Sequence, residues 1–229
     1  MVELPKIDTS NLWDKTYALL KESIIRREFA PNQKLSIPDL SIQLGVSRTP
    51  VRDALNRLEM EGLVKTISKV GTFVVAIDRE DVLNIMDTRL MLELWVADQL
   101  VDLPSNELAA GISRMETILD FAEQDIAANK DDEYLKADYN LQFHIAFMQL
   151  GGNKNNIDIY LRTMNYRYIT LKSSIVSREM VQVAQNQHRH IIQVIKQKDT
   201  NAVKKALREH LEDSKRRLLE VINEHKGII

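Results

Sequence analysis

Histidines in the second half of the chain are the side chains best suited to bind a metal ion. At about 100° per residue, His144, His188 and His210 each fall on the apolar side of a predicted helix, whereas His190 faces solvent. A lone buried histidine is usually a hydrogen-bonded core residue, but three from separate helices could converge on one ion. Asn140, one turn before His144, would add an amide oxygen at ligand spacing. The pattern therefore predicts a divalent metal site, with hydrogen-bonded core histidines as the alternative.

The ligand types restrict both the metal and its chemistry. The sequence has no cysteine, and a set of imidazole and amide ligands without a thiolate suits Zn²⁺, Ni²⁺ or Mn²⁺ with water completing the shell. Such a centre could activate water for hydrolysis. No inward-facing Asp or Glu stands beside the histidines as a general base, so no catalytic residue is assigned. A metal-dependent hydrolase or lyase is kept as an alternative to a non-enzymatic metal site.

A second group of candidate residues lies in the segment 45–64, GVSRTPVRDALNRLEMEGLV. Ser47 is suited to cap a helix through its hydroxyl, Pro50 fits the first turn, and Gly62 fits the position after the end. Apolar residues recur at i, i+3, i+4 and i+7, which predicts one face docked on a core. The opposite face carries side chains suited to phosphates and base edges: Arg48, Thr49, Arg52 and Asn56.

The elements around this segment predict a winged helix-turn-helix. A first helix is expected at 12–29, and Ser36 caps a short second helix before the turn at Gly45. Two β-prone runs, 63–67 and 72–77, then form a hairpin whose tip contains Lys69 and Gly71. Three helices followed by a hairpin are typical of a DNA-binding head whose third helix enters a groove.

The remainder of the chain predicts a helical bundle. Six helices are expected at 79–101, 105–128, 131–150, 155–172, 179–198 and 200–224. We therefore predict a mainly α protein with a winged helix-turn-helix domain at 1–77 and an all-α effector-binding and dimerisation domain at 78–229.

Composition favours a globular protein with local nucleic-acid contacts. The 229 residues are 44% hydrophobic and 28% charged, with a net charge of −2. The charge divides into a mildly basic N-terminal third and an acidic remainder, which suits a protein whose DNA contacts are confined to one part. The N-terminus lacks the pattern of a secretory signal, and no apolar run approaches the roughly 20 residues of a membrane helix. We expect a cytoplasmic location.

These motifs resemble those of a known family. Residues 35–64 read L-S-x(10)-S-R-T-P-V-R-x-A-L-x-R-L-x-x-x-G-L-V, and G-T-F-V follows at 71–74. This pattern resembles the GntR family of bacterial transcription regulators, and the later helices resemble the FCD effector domain of its FadR-type branch. The metal pattern of that domain, D-x-x-x-H followed by two further histidines, matches Asn140, His144, His188 and His210. Asn140 departs from it, since the family has Asp at this position. An amide ligates without charge, which implies a working site of weaker metal affinity or, alternatively, a vestigial one.

The resemblance implies a function for each group of residues. It implies a homodimer that binds a pseudo-palindromic operator, with Arg48 and Arg52 as the main DNA contacts and Gly71 at the wing. An organic acid or similar metabolite in the helical domain would change DNA affinity. An Arg-x-x-x-Glu pair of the family matches Arg89 and Glu93, which makes both candidates for effector binding.

Two further polar residues, Arg162 and Tyr166, are candidates for the same effector pocket, although a helix with a polar solvent face would carry the same pattern. A ligand-responsive transcription regulator is therefore the leading hypothesis. The alternatives are a metal-dependent enzyme fused to a DNA-binding head and an architectural DNA binder with an inert dimerisation domain.

Overall fold

The structure, a computed structural model, describes residues 10–26, 28–128, 137–164, 177–225 and 227–228. These residues form nine helices and one small three-stranded sheet, which confirms the mainly α fold. The chain divides into two compact units, Met1–Ile77 and Asp78–Ile229.

The first unit has the elements of a winged helix. In chain order they are α1 (Ser10–Ile25), β1 (Lys34–Leu35), α2 (Ile37–Leu44), α3 (Arg48–Met60), β2 (Val64–Ile67) and β3 (Gly71–Val74). The strands are antiparallel in the order β1-β3-β2, with Thr66 opposite Thr72 in the hairpin. Sequence reasoning missed β1, because a two-residue strand has no measurable period. It also extended the first helix by four residues beyond Ile25.

Helix α3 begins and ends where the sequence predicts, but it lacks the predicted side-chain cap. Gly62 has a φ of +74°, the amide of Gly62 donates to Glu59, and the amide of Leu63 donates to Leu58 at 2.9 Å. This pair of bonds satisfies the last carbonyls of the helix. Ser47 occupies the N-cap position, but its hydroxyl makes no capping hydrogen bond, which corrects the prediction. Its extended backbone, rather than its side chain, starts the helix.

Polar contacts fasten α1 to α3 at the edge of the core. The Arg57 guanidinium lies 4.0 Å from the centre of the Tyr17 ring and donates to Asp14 at 2.9 Å. The Tyr17 hydroxyl donates to Glu61, which also pairs with Lys21 at 2.7 Å. Arg57 is therefore used to hold the helices together.

The apolar face of α3 forms the centre of this unit. Its stripe is fully buried: Val51, Ala54, Leu55 and Leu58. Leu20 and Ile24 of α1 are buried in the same unit, and α1 packs directly on α3. The period of the sequence was therefore a sufficient guide to which side of α3 is buried.

We expect Leu58→Ala to destabilise the first unit by about 2–5 kcal/mol, because truncating a buried leucine leaves a cavity that neighbours cannot fill. Met60→Ala, two residues away and 80% exposed, is the matched control and should change stability by less than about 0.5 kcal/mol. Urea unfolding followed by Trp13 fluorescence, in a Trp95→Phe background, measures both. Similar losses in the two variants would contradict the assigned face.

The second unit is helical throughout the residues described. Its helices are α4 (Arg79–Gln99), α5 (Ser105–Ala127), α6 (Tyr139–Leu150), α7 (Lys154–Met164), α8 (Arg178–Lys196) and α9 (Thr200–Glu224). Asp78 and Asp81 form a reciprocal capping box at the start of α4. Asp138, with a φ of +46°, caps α6, so that helix starts at Tyr139 and not at 131. The rest of the predicted segment, 131–136, and the end of the predicted helix 155–172 lie outside the described residues.

Packing within this unit brings the predicted histidines together. Helix α4 packs on α9, α6 and α7, while α5 packs on α6 and α8, and α8 packs on α9. His144 is on α6, His188 on α8 and His210 on α9, so each histidine comes from a different helix. None of the described helices has the length and apolarity needed to cross a membrane.

Candidate metal centre and DNA-binding face

The three inward-facing histidines meet in the core of the second unit. The Nε2 atom of His144 lies 3.1 Å from Nε2 of His210 and 3.2 Å from Nε2 of His188. One nitrogen from each ring can be chosen so that all three lie within 4.8 Å of one another. All three side chains are at most 1% exposed. His190 is exposed, as its helical phase predicts.

The contacts of two of these rings involve their Nδ1 atoms. His144 Nδ1 is 3.2 Å from the Glu93 carboxylate, and His210 Nδ1 is 2.8 Å from Gln187 Oε1, which can only accept. His210 therefore carries its hydrogen on Nδ1 in the neutral ring, which leaves its lone pair on Nε2. That lone pair faces Nε2 of His144 at 3.1 Å inside the core, where a cation shared by the rings would stabilise it.

A proton is poorly suited to be that cation. Burial, followed by the proximity of His144 and Arg89, holds the pKa of His210 well below its usual value of 6.5. A divalent ion fits better on distance, because two nitrogens about 2.1 Å from one ion are about 3.0–3.4 Å apart at right or tetrahedral angles. The observed Nε2 separations, 3.1 and 3.2 Å, fall in this range.

Asn140 supports the same interpretation. Its Oδ1 atom is buried and has no hydrogen-bond partner among the described residues, although buried carbonyl oxygens normally have one. Asn140 stands one turn before His144 on α6, where its oxygen can share an ion with that ring. The residues present therefore fit a divalent metal ion held by three imidazoles and one neutral amide oxygen.

A buried ion pair adjoins the histidines. Arg89 Nε donates to Glu93 Oε1 at 2.8 Å, and the two side chains, one turn apart on α4, are at most 2% exposed. The hydroxyl of Tyr160 donates to the same oxygen at 2.8 Å. Because His144 also contacts that oxygen, Glu93 links the ion pair directly to the candidate metal centre. The expectation that no inward-facing acidic residue stands beside the histidines was therefore wrong.

The other two predicted effector residues lie on or after α7. Arg162 is exposed on α7, and its role in effector binding stays a prediction. Tyr166 lies outside the described residues. Tyr160, two residues before Arg162, is the buried aromatic that sequence reasoning missed. Its spacing of four from the buried Met164 was the available signal.

Two glutamines of α8 were also missed. Gln185 is 1% exposed and its Oε1 has no hydrogen-bond partner in the described part of the chain. Gln187 is half-buried and contacts His210. Gln185 precedes His188 by three residues, which places both on one helix face. A polar residue at the buried phase of a helix was the signal that could have identified Gln185.

The polar face of α3 is open to solvent. The four predicted DNA-contacting side chains of this helix are all exposed: Arg48, Thr49, Arg52 and Asn56. Lys69, with a φ of +62°, occupies the turn of the hairpin and is also exposed, and Gly71 follows at the start of β3. An exposed basic helix face beside a basic hairpin tip is suited to a duplex, where phosphates attract the charges and base edges accept from arginine.

Comparison with protein families identifies both units. Residues 12–74 match the description "Bacterial regulatory proteins, gntR family", and residues 84–213 match the FCD domain. Fold and matches together define a transcription regulator with a DNA-binding head and an effector-type helical domain. The chain belongs to the GntR family of bacterial regulators and carries an FCD domain.

Other transcription regulators match this chain along nearly their whole length. The HTH-type transcriptional repressor GlaR of Escherichia coli K12 is 27% identical over 85% of this chain and 90% of its own. The Uxu operon transcriptional regulator of the same organism is 28% identical over 90% and 86%. A GntR-type regulator structure from Rhodococcus sp. RHA1 shares the fold, with a TM-score of 0.70, 22% identity, and coverage of 92% and 98%. The matched families and the two curated relatives are transcription regulators and not enzymes.

The low pKa of His210 predicts how the metal-free second unit responds to acid. Below about pH 6.5, His210 is protonated in the unfolded protein but not in the folded protein. The free energy of unfolding therefore falls by about 1.4 kcal/mol per pH unit until the pKa of the folded state is reached. Urea unfolding in chelator, followed by Trp95 fluorescence in a Trp13→Phe background, measures this slope. His210→Gln should reduce the slope by that amount, and an unchanged slope would contradict the assignment.

Proposed function

We propose that this protein is a ligand-responsive regulator that binds a pseudo-palindromic operator as a homodimer and senses a small organic anion through a metal ion in its helical domain. The observation that carries the proposal is the convergence of three imidazole Nε2 atoms in the core, where Nε2 of His144 lies 3.1 Å from that of His210 and 3.2 Å from that of His188. An inert dimerisation domain gains nothing from three buried imidazoles, because polar nitrogens in a core are costly unless they are paired.

The ion would be held by His144, His188, His210 and Asn140, with Zn²⁺, Ni²⁺ and Mn²⁺ as the candidates. When bound, it supplies positive charge and open coordination positions for an oxygen ligand. The chain's own residues orient the site: Glu93 holds the His144 ring, and Tyr160 donates to the same carboxylate oxygen. This arrangement serves binding rather than turnover.

The charges around the centre favour an anionic effector. Three neutral imidazoles and a neutral amide leave the full charge of a divalent ion uncompensated, while Arg89 and Glu93 cancel each other. A buried net charge of that size is costly unless a counter-charge enters with it. A carboxylate provides that counter-charge and can bind the metal through oxygen. We therefore propose a small organic acid as the effector.

The effector acts on the head through its preference for one arrangement of the dimer. It changes DNA affinity only as far as it binds one conformation better than the other. Arg89 and Glu93 lie on α4, the helix that directly follows the winged head in the chain. Because GlaR is named a repressor, we propose that this protein represses transcription by binding operator DNA in the cytoplasm. The anion would relieve or strengthen that repression.

Metal binding provides the first test. We expect native mass spectrometry to find a dimer with one divalent ion per chain after incubation with Zn²⁺ or Ni²⁺. His210→Asn should weaken this uptake more than the roughly 10–100-fold that loss of an outer-shell partner costs. His190→Asn, exposed on α8, is the matched control and should bind as wild type. A wild-type dimer that takes up neither ion would support the architectural binder instead.

DNA binding provides an independent test of the head. Arg52→Ala should raise the Kd for a duplex selected by the wild-type protein by about tenfold or more, because an exposed arginine is lost from the DNA face. The slope of log Kd against log salt concentration should fall by about one per head. Fluorescence anisotropy across a salt series measures both. Arg162→Ala removes the same charge from the second unit and should change neither. Equal effects of the two variants would contradict the assigned DNA face.

A further inference from the structure

Gln187 contacts a candidate metal ligand without being a ligand itself. We propose that Gln187 is a positioning residue that fixes His210 with its Nε2 lone pair toward the metal, and that Asp213 fixes the amide of Gln187. The inference rests on the proposed metal site for its function, but its geometry stands independently. It concerns α8 and α9 only, since Gln187 lies on the first helix and both of its partners on the second.

Asp213 determines which way the Gln187 amide points. Its Oδ2 accepts from Gln187 Nε2 at 3.1 Å and from Arg217 at 2.9 Å, and its Oδ1 accepts from Arg216. Burial alone would raise the pKa of Asp213, but the hydrogen bonds from Arg216 and Gln187 and the charge of Arg217 outweigh it and lower the pKa. The group is a carboxylate at neutral pH. A carboxylate has acceptors only, so the amide must present its NH₂ group to it.

This orientation also fixes the direction of the Gln187 amide oxygen. With NH₂ directed at Asp213, Oε1 faces His210 Nδ1 at 2.8 Å. An amide oxygen accepts only, so His210 must donate from Nδ1 and keep its lone pair on Nε2. That Nε2 is the atom 3.1 Å from Nε2 of His144. Without Gln187, the ring could carry its hydrogen on Nε2, where it would block a metal ion.

The spacing of the residues explains why one glutamine can act on both partners. His210 and Asp213 are three residues apart on α9 and therefore neighbours on its surface. Gln187 and His188 are adjacent on α8 and point about 100° apart, so one contacts His210 while the other approaches His144. The Glu93 carboxylate lies 3.2 Å from Nδ1 of His144. The hydrogen bond to Gln187 thus orients the His210 ring from outside, through its Nδ1.

The test compares metal affinity in full-length variants at position 187. Gln187→Met keeps the length of the side chain but removes the acceptor, and we expect it to weaken Zn²⁺ binding by about 10–100-fold, measured by competition with a chromophoric chelator. Gln193→Met, exposed on the same helix, should bind as wild type. Wild-type affinity in Gln187→Met would overturn the proposal.

A second variant separates positioning from packing. Gln187→Glu combined with Asp213→Asn exchanges the carboxylate and the amide, so that position 187 again accepts from His210 and position 213 donates to it. This double variant should bind Zn²⁺ within about threefold of wild type or more tightly, since carboxylates commonly orient metal-binding histidines. Loss of binding equal to that of Gln187→Met would overturn the proposal. This variant also keeps the test decisive if Gln187→Met does not fold.

The ring tautomer provides a readout that needs no metal. In metal-free protein labelled with ¹⁵N-histidine, NMR should find His210 with its hydrogen on Nδ1 in wild type and a shift toward Nε2 in Gln187→Met. The Nε2 form in wild type would overturn the proposal. If wild type has the Nδ1 form and loses it in the variant yet takes up no metal, the role of Gln187 stands and the proposed metal site fails.

Discussion

Nε2 of His144 and Nε2 of His210 face each other at 3.1 Å in the core of the second unit, where both side chains are at most 1% exposed. Polar atoms are costly in an apolar core unless they are paired, so this contact is the constraint on which the second unit depends. His144 and His210 come from different helices, and the packing of α4, α8 and α9 around them holds the rings in place. A cation shared by the rings would make this contact stabilising. In the function that we propose, folding stability and ligand sensing therefore share one feature.

The surrounding polar network compensates each charge it brings inside. Arg89 is paired with Glu93, and that carboxylate is also contacted by Tyr160 and His144. Removing one member of such a pair leaves the other as an uncompensated buried charge, which is strongly destabilising. Sequence patterns describe these residues as individual candidates for a ligand pocket. Their contacts describe them as one unit, in which no member can change without affecting the next.

The winged head divides its arginines between two tasks. Arg57 lies over the Tyr17 ring and pairs with Asp14, so it fastens α1 to α3. Arg48 and Arg52 remain exposed on the opposite side of the same helix. A helix that contacts base edges in DNA needs a fixed orientation as well as charged side chains, because base contacts depend on docking geometry. Arg57 helps to fix the orientation of α3, and Arg48 and Arg52 provide the charged side chains.

The sequence by itself determined the winged head, the helical second unit and the inward phase of three histidines, because the helical period records which side of each helix is buried. It could not determine partners. The contact of Tyr160 with Glu93 and the link from Gln187 to His210 join residues far apart in the chain. Periodicity states only that a side chain faces inward. Which atom it meets there depends on how the helices pack, and only the tertiary structure decides that.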